Sequence, residues 1–372
     1  MTKSLLNAGW EIWIDDPRGA RLAFVDRVIV NNLTRSLNSV GAFSVSFPLG
    51  YYDQYLTLDG IVEIWMNAGV SRRIFTGFSR SFTYSEDSNG LEIVTVSGPE
   101  TNDILRTAIV AYYAGSSQAE KTGYADNIIK AIVRENRGSL ATGARNFSSL
   151  GLTVSPDLSL APIQTKGFSR ENMLAIIQEI CETSRQAGTD LYFDLVAVDN
   201  NNLLGFDLRT YVNLYGNDHS STGDEQIIFS SDDGNLANAT LTIDYSDEIN
   251  YIYAGGQGEG VEREIVEVSD TVRIKKSPWN LREAFVDARD QETTAGVTAR
   301  ANAELSIGRP FAQFTADLLD TPYARFAVDW YFGDKISVKK SRQIYDAMVK
   351  AYRIGLDQDA RQTLECKIEV DL

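Results

Sequence analysis

Apolar and polar side chains alternate along both ends of this 372-residue chain, and helical spacing appears only in its middle. Period two gives a strand one core face and one solvent face, whereas a recurrence every three or four residues marks a helix face. Phe43-Ser44-Val45-Ser46-Phe47 is the clearest alternation, and Pro48 ends it by removing a ladder donor. Ahead of it, strands are predicted over Trp10 to Ile14 and Leu22 to Val30. They are joined by Asp15-Asp16-Pro17-Arg18-Gly19, where Pro pre-sets φ and Gly releases the chain. Behind it, Ile61 to Met66 and Arg73 to Gly77 read as a pair. Phe78 to Tyr84 and Leu91 to Ser97 read as a hairpin, whose Glu86-Asp87-Ser88-Asn89-Gly90 tip holds an Asn-Gly step suited to positive φ.

The middle changes period. Ala125, Ile128, Ile129, Ile132 and Val133 predict a helix that Gly138 closes. A second helix is predicted from an N-cap at Ser169. It buries Met173, Ile176, Ile177, Ile180 and Cys181 and ends near Gly188. Strands over Leu191 to Val198 and Leu203 to Tyr211 follow, joined by Asp199-Asn200-Asn201-Asn202. Asn213 to Asp224 is a loop, and Asp232-Asp233-Gly234-Asn235 is a turn and a boundary.

Beyond it the β pattern returns, with strands near 239–244, 249–254, 263–268, 311–318, 324–331, 335–338, 344–355 and 362–370. A helix over Thr293 to Ser306 interrupts them and stops at Gly308-Arg309-Pro310. Within Tyr323 to Val338, Val328, Trp330 and Phe332 alternate, and this run is expected to pair with Glu248 to Asp290. One core is too few for such a length. The predicted class is β-rich α+β, with β-barrels at residues 1–105 and 236–372 flanking a smaller α+β insertion at 106–235. No sequence repeat links the two ends, which are expected to share a shape without sharing a sequence.

The 33 Phe plus Tyr and 5 Trp fit a β-rich fold. A net charge of −16 argues against a nucleic-acid-binding face, which needs cations to displace counterions from phosphate. Cys181 and Cys366 are too few for a disulfide framework and are expected as buried thiols. The start, MTKSLLNAGWEIW, lacks a secretory apolar core, and no run approaches the roughly 18 apolar residues of a membrane span. Synthesis in the cytoplasm, with no membrane span, is the expectation.

Candidate chemistry is sparse. Gly255-Gly256-Gln257-Gly258-Glu259-Gly260 has the glycines of a phosphate loop. A Glu-rich strand pattern follows it instead of a helix, and no Gly-Lys-Ser/Thr occurs, so it reads as a hairpin loop. His219, the single histidine, lies in a polar stretch without a nucleophile elbow and is expected to be exposed. Asp232-Asp233 and Asp329 with Asp334 are the tidiest carboxylate pairs for glycan hydrolysis, but they sit where turns and strand ends want acids. Arg282 to Asp290 alternates acid and base around Phe285 and Val286, which are expected to be buried. Its charges suit a subunit register. Cysteine and histidine number and spacing exclude zinc, and no calcium-loop spacing occurs. No catalytic, cofactor or metal residue is assigned.

Several segments, in order, resemble the tail hub, or baseplate hub, proteins of long-tailed bacteriophages. They are Leu33-Thr34-Arg35-Ser36-Leu37-Asn38, Gly41-Ala42-Phe43-Ser44-Val45-Ser46-Phe47-Pro48, Phe75-Thr76-Gly77-Phe78 and Val96-Ser97-Gly98-Pro99-Glu100. Ser169-Arg170-Glu171-Asn172-Met173-Leu174, the 256–260 glycines with Arg263, Arg282 to Asp290, and Asp329 to Val338 complete the set. The resemblance implies a non-enzymatic structural protein of the virion, made in the host cytoplasm, with two tube-type barrels around smaller domains. Three subunits would then present six barrels to a hexameric tube at the distal tail tip. The distal tail protein ring and tape-measure protein would lie above, and central fibre or tip proteins below. DNA would cross only in transit, past carboxylates that keep it from sticking. Larger relatives append a lytic or fibre domain; with the chain stopping at Leu372, that activity is expected from another protein. The alternatives are a carbohydrate-active enzyme or sugar-binding module of the tail tip, and a hub of a related contractile injection system. A glycan-saturable activity lost with one carboxylate would mark the enzyme.

Overall fold

The alternating runs do fold as strands, and strand exceeds helix by 49% to 18%. The computed structural model describes residues 9–370 other than 26–27, 51, 68–70, 87–89, 112–118, 169, 224, 290, 292, 341 and 357–361. Near the N-terminus, Arg21–Val25, Trp10–Asp15, Ile61–Asn67 and Ser71–Phe78 form an antiparallel sheet in that order. Its inward positions meet in register, Ile12 with Ile64 and Ile14 with Val62, all fully buried. The return strand predicted over Leu22 to Val30 is two strands. Arg21–Val25 stays in this sheet, and Ile29–Ser36 joins another.

That other sheet has eleven strands. Its main path runs Leu236–Asp244, Phe311–Leu318, Gln362–Val370, Gln343–Leu356, Ile29–Ser36, Ala42–Pro48, Glu92–Pro99, Ser81–Glu86. Lys335–Lys340 branches from Gln343–Leu356 and takes Asp218–His219 and Ile228–Ser230 in parallel. The two ends of the chain therefore share a ladder, with Ile354 opposite Leu33 and Arg353 opposite Thr34. They also share a core, which runs from Ile12 and Phe43 to Trp330 and Tyr352. Among the described residues no set of strands closes into a barrel. The hairpin between Ser81–Glu86 and Glu92–Pro99 forms as expected, and residues 87–89 of its tip lie outside the described residues.

Two glycines let the sheets cross. A Cβ on Gly98 would sit 1.8 Å from the Phe78 carbonyl oxygen, and one on Gly77 would sit 2.6 Å from that of Pro99. Only a residue without Cβ allows this backbone approach.

The middle of the chain has its own core, drawn from Ala125–Asn136, Met173–Gln186 and the strands Leu152–Val154, Leu191–Asn200 and Leu203–Val212. Asn172 caps the second helix by accepting the Ala175 N–H at 3.2 Å, in place of the predicted Ser169, which lies outside the described residues. Asx at an N-cap supplies the acceptor that the first turn lacks.

Two sequence readings fail in the C-terminal part. The strand expected over 324–331 is a pair of turns, with Ala327 at φ 64° and its N–H bonded to the Trp330 carbonyl. Of the alternating residues Trp330 and Phe332 enter the core and Val328 does not, while Ala327, out of phase with them, does. Nor does Tyr323 to Val338 answer the 248–290 run. Tyr251–Gly255 pairs with Ile265–Ser269 and Glu283–Asp287 in a separate three-stranded sheet. Helix Thr294–Ile307 covers that sheet, making a third core of Ile252, Ala254, Ala288, Val297 and Ala301.

Asp15 and Glu63 are buried together on the N-terminal sheet, straddled by Arg21 and Arg73. Burial first, and the Glu63 charge second, push the Asp15 carboxyl up to about 7. An acid whose folded pKa exceeds its unfolded value near 3.9 contributes stability in full below that value, and loses it as pH rises through 7. The melting temperature is expected to fall between pH 5 and pH 8. Asp15→Asn should flatten that fall, as read by thermal scans at both pH values.

Candidate functional site

The Leu33 to Asn38 and Val96 to Glu100 segments converge on a buried ionic seam. Arg35 is the penultimate residue of the strand Ile29–Ser36, where its guanidinium meets Glu100 at 2.5 Å and Asp194 at 2.8 Å. Glu100 also accepts the Gly41 N–H at 2.9 Å. Asp194 accepts the Tyr215 hydroxyl at 2.6 Å and the Asn102 amide at 3.3 Å. Phe332 lies under the guanidinium, 4.7 Å from its ring centre. One cation thus ties the eleven-stranded sheet, the middle unit and the C-terminal turns together. Only arginine offers a fork that reaches carboxylates on two strands. Burial leads the balance at Glu100 and holds its carboxyl up at about 7, against the lowering pull of Arg35. Beside the seam, Asn38 accepts the Phe193 N–H at 3.0 Å and donates to the Leu191 carbonyl at 2.9 Å.

The eleven-stranded sheet turns one face to the core and leaves the other polar. Across its N-terminal half, Ser44 and Ser81 flank Ser97, and Ser46 and Thr83 flank Thr95. Ser46 and Thr95 join hydroxyls at 2.7 Å. Across its C-terminal half, Gln313 faces Glu369, Thr315 faces Lys367 and Asp317 faces Glu365, while Phe314, Ala316, Cys366 and Ile368 point into the core. The two outermost strands of the path each have one partner among the described residues, Ser81–Glu86 at one end and Leu236–Asp244 at the other. Such edges present unpaired backbone donors and acceptors.

The residues singled out from sequence do not gather into a catalytic centre. Asp232 pairs with Lys339 at 2.8 Å, and Asp329 pairs with Arg325 at 2.9 Å. Asp334 is buried and accepts the N–H groups of Asn217 and Tyr331, both at 2.6 Å. His219 is not the exposed loop residue expected. Its strand pairs with Lys335–Ile336, and its side chain is 14% exposed, with Nε2 3.8 Å from Asp334. The glycine cluster joins two antiparallel strands, as a hairpin loop should. Glu283–Asp287 is a strand whose Ala284 and Val286 pack on the small core. Phe285, expected to be buried, is more than half exposed, and Asp290 lies outside the described residues. Cys181 and Cys366 are buried and unbridged, and burial pushes both thiols up. Among the described residues no helix is long and apolar enough to cross a membrane, and no group of three or more acidic, Cys or His side chains is placed to hold a metal. An open cleft of about 860 Å³ lies beside Met173–Gln186, but most of its charges are matched in pairs, Lys166 with Glu179, Arg185 with Glu182 and Lys350 with Glu369.

Sequence reasoning passed over Asp194 and Tyr215. Neither stands out in its own segment, and only the fold brings them to Arg35.

A family model described as Siphovirus ReqiPepy6 Gp37-like protein matches residues 9–368. No curated protein sequence matches the chain. Among solved structures, the chain is similar to the prophage MuSo2 43 kDa tail protein from Shewanella oneidensis. The two share 14% identity and a TM-score of 0.61, over 96% of this chain and 98% of that one. It is likewise similar to a tail protein from Neisseria meningitidis MC58, at 13% identity and TM-score 0.62 over 98% and 97%. Prophage tail protein gp18 from Listeria monocytogenes EGD-e follows at 14% and 0.55, over 96% and 94%.

Proposed function

The chain belongs to the Siphovirus ReqiPepy6 Gp37-like protein family, whose setting is the phage tail, and from that premise we propose that it is a non-enzymatic hub at the distal tail tip. Three copies form a ring that continues the DNA channel of the tail tube. In this reading the two ends of the chain are like-shaped tube halves, so that three subunits match six-fold geometry. Tail proteins of the tube sit above, and fibre or tip proteins hang below.

The observation that carries the reading is the sheet with a free strand at each end and one polar face. Joining Ser81–Glu86 of one copy to Leu236–Asp244 of the next pairs both ends of the main path when the third copy closes the ring. Head-to-tail contacts of this kind either close or run on as filaments. The polar face then lines the channel. Its small hydroxyls, with Asp317, Glu365 and Glu369 against Lys367 and Arg353, give passing DNA no cationic stripe to hold.

The edge can be tested with proline. Of Thr83 and Tyr84, one directs its N–H out of the sheet, and proline there removes a donor without touching the intrachain ladder. That variant is expected to run as a monomer with unchanged circular dichroism, while the unaltered protein runs at three times the monomer mass. A trimer that survives proline at both positions would contradict pairing through this edge.

A further inference from the structure

Ring closure through the large sheet leaves the open face of the small three-stranded sheet without a role. In its central strand Ile252 and Ala254 enter the core, so Tyr251 and Tyr253 point outward. Ser269 and Glu267 lie opposite them on one side, Glu283 and Phe285 on the other. The two tyrosine rings are 5.0 Å apart. Tyr251 donates its hydroxyl to Glu267, and Tyr253 donates to Glu283 at 3.3 Å. The Glu267 hydrogen bond holds the Tyr251 hydroxyl up at about 12.

This face already holds one cation. The Arg263 guanidinium lies 5.1 Å from the centre of the Phe285 ring and donates to Asp287 at 2.8 Å. A ring and a carboxylate side by side attract a cation through the ring quadrupole and through charge. Tyr251 and Tyr253 with Glu267 and Glu283 repeat that arrangement on the same face. There, among the described residues, neither glutamate takes part in an ion pair.

The strands beneath are pinned. Asn250 donates to the Asn280 carbonyl at 2.6 Å, and Asn280 donates to the Arg273 carbonyl at 3.0 Å. Arg273 in turn donates to the Gly308 and Leu305 carbonyls that end the covering helix, at 2.9 and 3.0 Å. A face ordered in advance loses little entropy on binding.

We propose that this face docks a basic segment of a protein partner, with an arginine or lysine side chain laid over Tyr251 and Tyr253 and paired with Glu267 and Glu283. The net charge of −16 favours such a partner at longer range. The proposal does not depend on ring closure, and its failure would leave that reading intact.

The test uses the full chain and a labelled hexa-arginine peptide, with binding read by fluorescence anisotropy at low salt. Tyr251→Leu with Tyr253→Leu removes the rings at constant charge, and Glu267→Gln with Glu283→Gln removes the charges at constant shape. Each pair is expected to weaken binding at least about tenfold, the factor a 1.4 kcal/mol loss gives. Asp232→Asn with Asp233→Asn, the same charge change elsewhere, should leave it unchanged. The glutamine pair keeps the test valid if the leucine pair fails to fold. The proposal is overturned if the asparagine control weakens binding as much as the glutamine pair does. It is also overturned if folded leucine variants bind like the parent, or if a chitin hexasaccharide binds this face and the peptide does not.

Discussion

Replacing Arg35 with methionine should cost about 3–5 kcal/mol of stability, because it strands two carboxylates in the interior. Glu100 and Asp194 have side chains 3% and 6% exposed, and Arg35 is the cation that contacts both. Without it, burial forces a carboxyl to take up a proton or to drag water inward. The remaining donors, from Gly41, Asn102 and Tyr215, are neutral and cannot replace the charge. Arg35→Lys should recover only part of the loss, since an ammonium lacks the fork that spans both strands. Urea unfolding of the three proteins measures this. A loss under about 1 kcal/mol for the methionine variant, the size typical of a surface pair, would show that the seam carries little. Total stabilities of about 5–15 kcal/mol make the expected loss large enough to reduce the yield of folded protein.

Trp330→Ala should be comparably severe, at about 3–5 kcal/mol, for a different reason. Trp330 is 1% exposed, with Phe326 at 5.1 Å and Phe229 at 5.2 Å between ring centres. Its indole N–H reaches the Ala324 carbonyl at 3.3 Å. The void left by alanine cannot collapse easily, because the backbone around it is a fixed pair of turns with Ala327 in the left-handed region. Trp330→Phe fills most of the space and should lose much less. Equal losses for the two variants, read from the same unfolding curves, would mean the site relaxes freely.

These two residues also show what could be read from the chain. Trp330 was legible as core from its alternation with Val328 and Phe332, but not as a turn. Period two reports which side a residue faces, and tight turns with buried aromatics produce the same signal. Arg35 and Glu100 were legible as members of a recurring pattern, though not as partners. They are 65 residues apart, and Asp194 lies 159 residues from Arg35. The helices over 125–136 and 173–186 announced themselves through one apolar face each. The ladder between Ile29–Ser36 and Gln343–Leu356 did not, because strand pairing depends on register and topology and not on local spacing. The separate unit at 249–307 was missed because its strands are short, with five residues each, and read like others in the C-terminal part. Its outward face explains the Phe285 error: apolar residues on a small sheet can serve a surface as well as a core.

In the proposed assembly the joined sheet of one chain is a third of a closed ring. Electron microscopy of the purified full-length protein tests it most directly. Particles with a central hole and three-fold symmetry at three times the monomer mass are expected. A monodisperse monomer at concentrations well above those in an assembling tail, or a particle whose large-sheet edges stay unpaired, would contradict it.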